Sequence, residues 1–135
     1  MNQKEIRYKQ RFSNFEKAFI QLQTAVGRFD ELDDLAKEGM VQRFEYTFEL
    51  AWKTLKDFIE SKGELERSPR DVIKKSFQLE IINDGEKWLE MLENRNLMAH
   101  TYNENTFVKI VNMIKEEYFM EIEKLIEFFK KEIEK

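Results

Sequence analysis

The chain has 135 residues, no cysteine, a formal net charge of −4 and 37% charged residues. That length suits one domain that folds without staples, and the missing thiols exclude disulfides, thiolate zinc sites and cysteine nucleophiles, as suits a cytoplasmic protein. The acidic balance argues against broad, backbone-driven nucleic-acid binding, so any RNA contact must be local, and no apolar run approaches the roughly 20 residues that span a bilayer.

One proline and four glycines leave few natural breaks, the composition of an all-α fold. A first helix is expected over residues 3–28, where Phe12, Phe15, Phe19, Leu22, Val26 and Phe29 recur at helical spacing and Gly27 marks the end. A second, over 31–61, carries Val41, Phe44, Phe48, Trp52, Leu55 and Ile59, begins on either side of Gly39 and stops at Gly63. Ser68-Pro69-Arg70-Asp71 reads as an N-cap, a first-turn proline and a capping-box acid, opening a third helix through Ile82. Asn83-Asp84-Gly85 breaks it, and a fourth runs from Glu86 to Ala99 or His100.

The fifth helix is capped by Asn103 or Asn105 and runs almost to the end on Phe107, Val111, Ile114, Tyr118, Ile122, Leu125 and Phe129. Ile110, Phe119, Ile126 and Phe128 lie outside that stripe, which points to a surface buried against a second copy. The phenylalanine stripes, Trp52 and Trp88 read as core. Long helices with short loops give a four- to five-helix antiparallel, up-and-down bundle, one domain over residues 1–135.

Arg95 interrupts this pattern. At about 100° per residue it falls within roughly 80° of Trp88, Leu92, Ala99 and Tyr102, aimed at a packed surface. An unpaired guanidinium there costs several kcal/mol, so it must meet a carboxylate, a substrate anion or another subunit. His100, the single histidine, lies about 140° further round, above Asn96. Glu45 and Glu49 sit on the second helix at the edge of its core stripe, beside Phe48 and Trp52. Glu49 either pairs with Lys53 one turn on, both staying wet, or Glu45 or Glu49 crosses to Arg95 or Lys53 and orients the guanidinium toward a ligand.

An arginine can clamp a phosphate and a histidine can transfer a proton at neutral pH, which together suffice for RNA cleavage by a ribose 2′-hydroxyl without metal. His100 stands near a helix C-terminus, where the dipole favours a cation and an acid role. One histidine does not easily serve as both acid and base, whereas a second copy would bring another. Its alternative role is a C-cap or surface residue. One histidine and no cysteine offer little for a metal.

The run Arg95-Asn96-Leu97-Met98-Ala99-His100-Thr101-Tyr102 resembles the defining motif of the HEPN superfamily of small helical domains. Phe44-Glu45-Tyr46-Thr47-Phe48-Glu49-Leu50-Ala51-Trp52-Lys53, Ser68 to Ile73 and Trp88 to Leu92 extend the likeness to the nucleotidyltransferase substrate-binding, HepT-like branch, over residues 10 to 130. The resemblance implies a helical bundle that forms a homodimer or higher oligomer with the motif helices near the seam, and no cofactor. It implies a minimal nucleotidyltransferase partner, antitoxin-like, facing a toxin RNase with Arg95 and His100 as catalytic residues. Asn96 maps onto a polar position that follows the arginine, and Tyr102 onto the tyrosine that the partner adenylylates, placing negative charge beside Arg95. The alternative function is a non-catalytic subunit that binds a nucleotide or substrate for that enzyme.

Overall fold

The computed structural model describes residues 2–100 and 103–135. Six α-helices follow in order: α1 (Gln3–Gly27), α2 (Asp34–Ser61), α3 (Pro69–Gln78), α4 (Gly85–His100), α5 (Glu104–Met113) and α6 (Phe119–Glu134). A single 3₁₀ turn, Phe29–Glu31, joins α1 to α2, and a π turn, Ile114–Tyr118, fuses α5 and α6 into one rod. Among the described residues there is no strand, and no helix is long and apolar enough to cross a membrane.

The caps follow from the local sequence. Asn2, Asp33, Ser68, Asp84 and Asn103 each accept a backbone N–H in the first turn that follows, satisfying donors that a helix start otherwise leaves free. Of the two caps expected for the fifth helix, Asn103 is the one used. Gly39 lies inside α2, which starts at Asp34. At the other end Gly63 takes φ +93°, and Glu64 N–H closes onto Ile59 O at 2.9 Å, a left-handed stop that glycine makes without strain.

The third helix is shorter than its sequence pattern suggests. It ends at Gln78 rather than Ile82, because Glu80 adopts φ +61° and Ile81 N–H turns back to Ser76 O at 2.9 Å. This is the same closure as at Gly63 but built on a residue that carries a Cβ, so no glycine announces it.

Ring contacts fix the directions of the rods. Tyr8 meets Phe58 at 5.0 Å and Gln21 binds Tyr46, so α1 and α2 are antiparallel. Phe19 stacks on Phe119 at 5.2 Å while Tyr8 and Phe12 meet Phe129, so α6 opposes α1. Phe44 stacks on Tyr118 and Phe58 meets Phe129, so α6 runs with α2. On α4, Trp88 shares a cleft with Leu125, whereas Asn94, further along, reaches back to Tyr118. The rod therefore opposes α4, and α4 is antiparallel to α2.

The core runs the length of this bundle, with Phe15, Phe48, Leu55, Ile73, Met91, Tyr118 and Phe129 fully buried. The broad apolar face of the rod is used internally, contrary to the expectation of a surface reserved for a second copy. Ile110 and Ile126 are each 1% exposed, Phe119 lies on Phe19, and Phe128 packs edge-on to Phe58.

Candidate functional site

The site forms where the C-terminal half of α4 crosses the middle of α2. Trp88, Met91 and Leu92 are buried and seat α4 on the core, with the Trp88 ring 6.0 Å from Phe48. One turn on, the same face presents Arg95 to the polar edge of α2. Its Nη2 donates to Glu49 Oε2 at 2.5 Å, and the guanidinium carbon lies 5.8 Å above the Phe48 ring. The carboxylate and the ring together accommodate a cation that is only 23% exposed.

Both expected contacts of Glu49 form at once. Its carboxylate also accepts from Trp52 Nε1 at 3.0 Å and pairs with Lys53 Nζ at 3.2 Å. Burial pushes the Glu49 carboxyl up, but the hydrogen bonds from Trp52 and Lys53 and the charges of Arg95 and Lys53 outweigh it, and the group ends below the ordinary glutamate value. Glu45 behaves in the opposite way. Burial is the largest influence on it and the Arg95 charge offsets only part, so its carboxyl is raised. Glu45 makes no ion pair or hydrogen bond among the described residues.

Arg95 is not fully engaged. Its Nε is buried without a hydrogen-bond partner among the described residues, a deficit that usually signals a missing ligand, water or subunit. Asn96 and His100 are exposed, as is Ala99, which the helical wheel places with the core. In the last turn of α4 Met98 still packs against the core, so the buried face has rotated onto Met98 and leaves Ala99 and His100 open. Tyr102 lies outside the described residues.

A second set of polar groups escapes the sequence pattern. Tyr118 is fully buried, yet its hydroxyl donates to Glu90 Oε1 at 2.8 Å and accepts from Asn94 Nδ2 at 2.5 Å. Burial, followed by the neighbouring Glu90, drives this phenol far above its ordinary range. Lys87 bonds Glu117 at 2.7 Å and approaches Glu90 at 3.6 Å. These groups lie on the flank of α4 next to the Arg95 face, and they tie it to the π turn. One available signal was Glu90 and Asn94, two polar residues at i, i+4, opposite a tyrosine whose hydroxyl needs a partner once buried.

The site is an edge of the bundle rather than a pocket. A cleft of about 590 Å³ lies near the start of α4, and its wall does not include Arg95 or His100. Glu80, Glu121, Glu123 and Glu127 outnumber Lys124 and Lys131 in its wall, a charge balance that repels a phosphate. Among the described residues no group of three or more His, Asp or Glu side chains is placed to hold a metal ion.

Comparison with known proteins agrees with the helical fold. Residues 10–131 match the model of the family described as "Nucleotidyltransferase substrate binding protein like". The chain belongs to that family. The family has a HEPN-like fold, and its HepT-like branch is supported by a protein from Haemophilus influenzae named a probable ribonuclease HepT, which is 25% identical over 101 residues, 71% of this chain and 68% of the relative. In three dimensions this family member resembles a crystal structure of a protein from Thermus thermophilus, with a TM-score of 0.76 and 30% identity, covering 83% of this chain and 95% of the other.

Proposed function

We propose that the protein is a HepT-like toxin ribonuclease that cleaves RNA without a metal ion, with Arg95 and His100 as its catalytic residues. The observation that carries this reading is the half-engaged guanidinium: Arg95 is anchored through Nη2 while its Nε has no partner among the described residues, and His100 stands exposed at the end of the same helix. Glu49, backed by Lys53 and Trp52, and the Phe48 ring orient the guanidinium, and the Nη donors that Glu49 leaves free are the ones offered to an RNA phosphate, with Nε buried behind them. His100 exchanges the proton that leaving-group departure requires. Asn96, exposed beside Arg95, orients the same phosphate or ribose.

The family name supports association with a nucleotidyltransferase, and the name of the H. influenzae relative supports the ribonuclease activity. The partner is a minimal nucleotidyltransferase that adenylylates Tyr102, and the added bulk and negative charge block RNA entry. A homodimer covers the end of α4, where Leu97 is 43% exposed and Ala99 open to solvent.

The decisive experiment incubates the purified protein with RNA in EDTA. Cleavage that Arg95→Ala and His100→Ala each abolish is expected, and an intact RNA pool overturns the ribonuclease reading. A second reading, favoured by the words "substrate binding" in the family description, is a non-catalytic subunit serving the nucleotidyltransferase. It calls for intact RNA together with a stable complex and one AMP added to Tyr102 when both proteins and ATP are mixed.

A further inference from the structure

Cleavage by a ribose 2′-hydroxyl needs one group to take that proton and another to protonate the departing 5′ oxygen. The chain has one histidine, and its place in the last turn of α4 suits a donor. Among the carboxylates at this edge Glu49 is committed to three donors, Arg95, Trp52 and Lys53, and cannot release them without freeing the guanidinium. Glu45 remains.

Its position follows from the helix directions. Because α2 and α4 are antiparallel, the turn from Glu49 back to Glu45 advances about 6 Å toward the C-terminal end of α4, and the step from Arg95 to His100 advances about 7.5 Å the same way. Glu45 therefore stands beside Arg95 on the side of His100. It is half-buried, and the described charge that acts on it is that of Arg95. Lys53 is spent on Glu49, Arg43 turns away to Gln21 O of α1 at 2.8 Å, and Tyr118 of the π turn is occupied by Glu90 and Asn94.

We propose that Glu45 is a catalytic residue, the acceptor of the 2′-hydroxyl proton, working with Arg95 on the phosphate and His100 on the leaving group. This rests on the ribonuclease reading above. The carboxylate takes the proton as the 2′ oxygen bonds to phosphorus. The bond from phosphorus to the 5′ oxygen breaks, and that oxygen takes a proton from the His100 imidazolium. The products are a 2′,3′-cyclic phosphate and a free 5′-hydroxyl. Water then returns Glu45 to carboxylate and His100 to imidazolium, so no proton or electron is left over. Burial suits Glu45 to the task, since a carboxyl held above its ordinary value is a stronger base than a fully solvated one.

The test uses the whole protein in EDTA, an RNA oligonucleotide whose cleavage position has been mapped, and the same oligonucleotide with sulfur in place of the 5′ oxygen there. A thiolate leaves without a proton. Glu45→Gln is expected to slow both substrates by about 100-fold or more, to bind RNA no more weakly than the unaltered protein, and to remove the acidic limb of the rate profile. His100→Ala is expected to fail on RNA and recover on the sulfur substrate, and Glu45→Asp to restore part of the rate lost in Glu45→Gln. A folded Glu45→Gln variant, checked by its melting temperature, that cleaves RNA at the wild-type rate or recovers on the sulfur substrate overturns the assignment. If the unaltered protein cleaves neither substrate, the ribonuclease reading falls and this assignment with it.

Discussion

Glu49 holds Arg95 by a single guanidinium nitrogen, Nη2, across the seam between α2 and α4. The pair is partly buried, 23% exposed on the arginine and 33% on the glutamate, so it ranks between an exposed ion pair and a buried one. Glu49→Ala should cost about 1–2 kcal/mol of stability. It should also free Arg95 to move, weakening RNA binding more than Lys53→Ala does. Denaturant melts and a binding titration of the two variants provide the check.

The pH dependence of that contribution has a definite sign. The folded-state carboxyl of Glu49 lies below the ordinary value of 4.5, so its stabilisation is fully present above 4.5 and is lost as pH falls through the lower folded value. The stability gap between the unaltered protein and Glu49→Gln should therefore close on acidification below 4.5. A gap that widens there would contradict the network.

Glu45 should show the reverse. Its carboxyl is raised by burial, so the folded state favours the protonated form and the charged form opposes folding at neutral pH. Glu45→Gln is expected to raise the melting temperature at neutral pH, with the advantage disappearing below the ordinary value of 4.5. A carboxylate that lowers stability where it stands is a mark of a residue kept for function.

Tyr118→Phe removes a buried hydroxyl that serves Glu90 and Asn94. The expected loss is about 1–2 kcal/mol, because both partners are left wanting. The raised phenol adds a check at high pH: its stabilisation is complete below the ordinary value of 10.0 and declines as pH rises above it. Alkaline melts should fall off less steeply for Tyr118→Phe than for the unaltered protein.

Glu80 holds a left-handed backbone conformation, φ +61°, on an exposed turn. Glu80→Gly should stabilise the protein by about 1 kcal/mol, because glycine adopts that conformation freely. Urea midpoints compared at constant slope test it.

Most of the bundle was legible because its signals are local and repeated. Phenylalanine spacing marked α1 and α2, and Ser68, Pro69 and Asp71 fixed the start of α3. The end of α3 was hidden because Glu80 closes it, and nothing in a glutamate announces a positive φ. Arg95 was legible as an anomaly, and its choice of Glu49 over Glu45 was not, because both acids lie on the same edge of α2 and only the register against α4 separates them. The Tyr118 network was hidden for a related reason, since one aromatic in an apolar stripe reads as core until the groups opposite it are known.

The π turn at Ile114–Tyr118 gives the last rod two phases. It accommodates one more residue than an α-helix would at that point, so everything after it is turned by about 100° relative to an uninterrupted helix. Before the turn, the rod's inward residues are set by α5; after it, a different angular set faces α1 and α2, and Tyr118 stands at the changeover. Deleting a single residue from this stretch would leave the composition almost untouched, yet it would put α6 out of step with its neighbours. The grip on α4 that steadies Arg95 thus depends on counting as much as on chemistry.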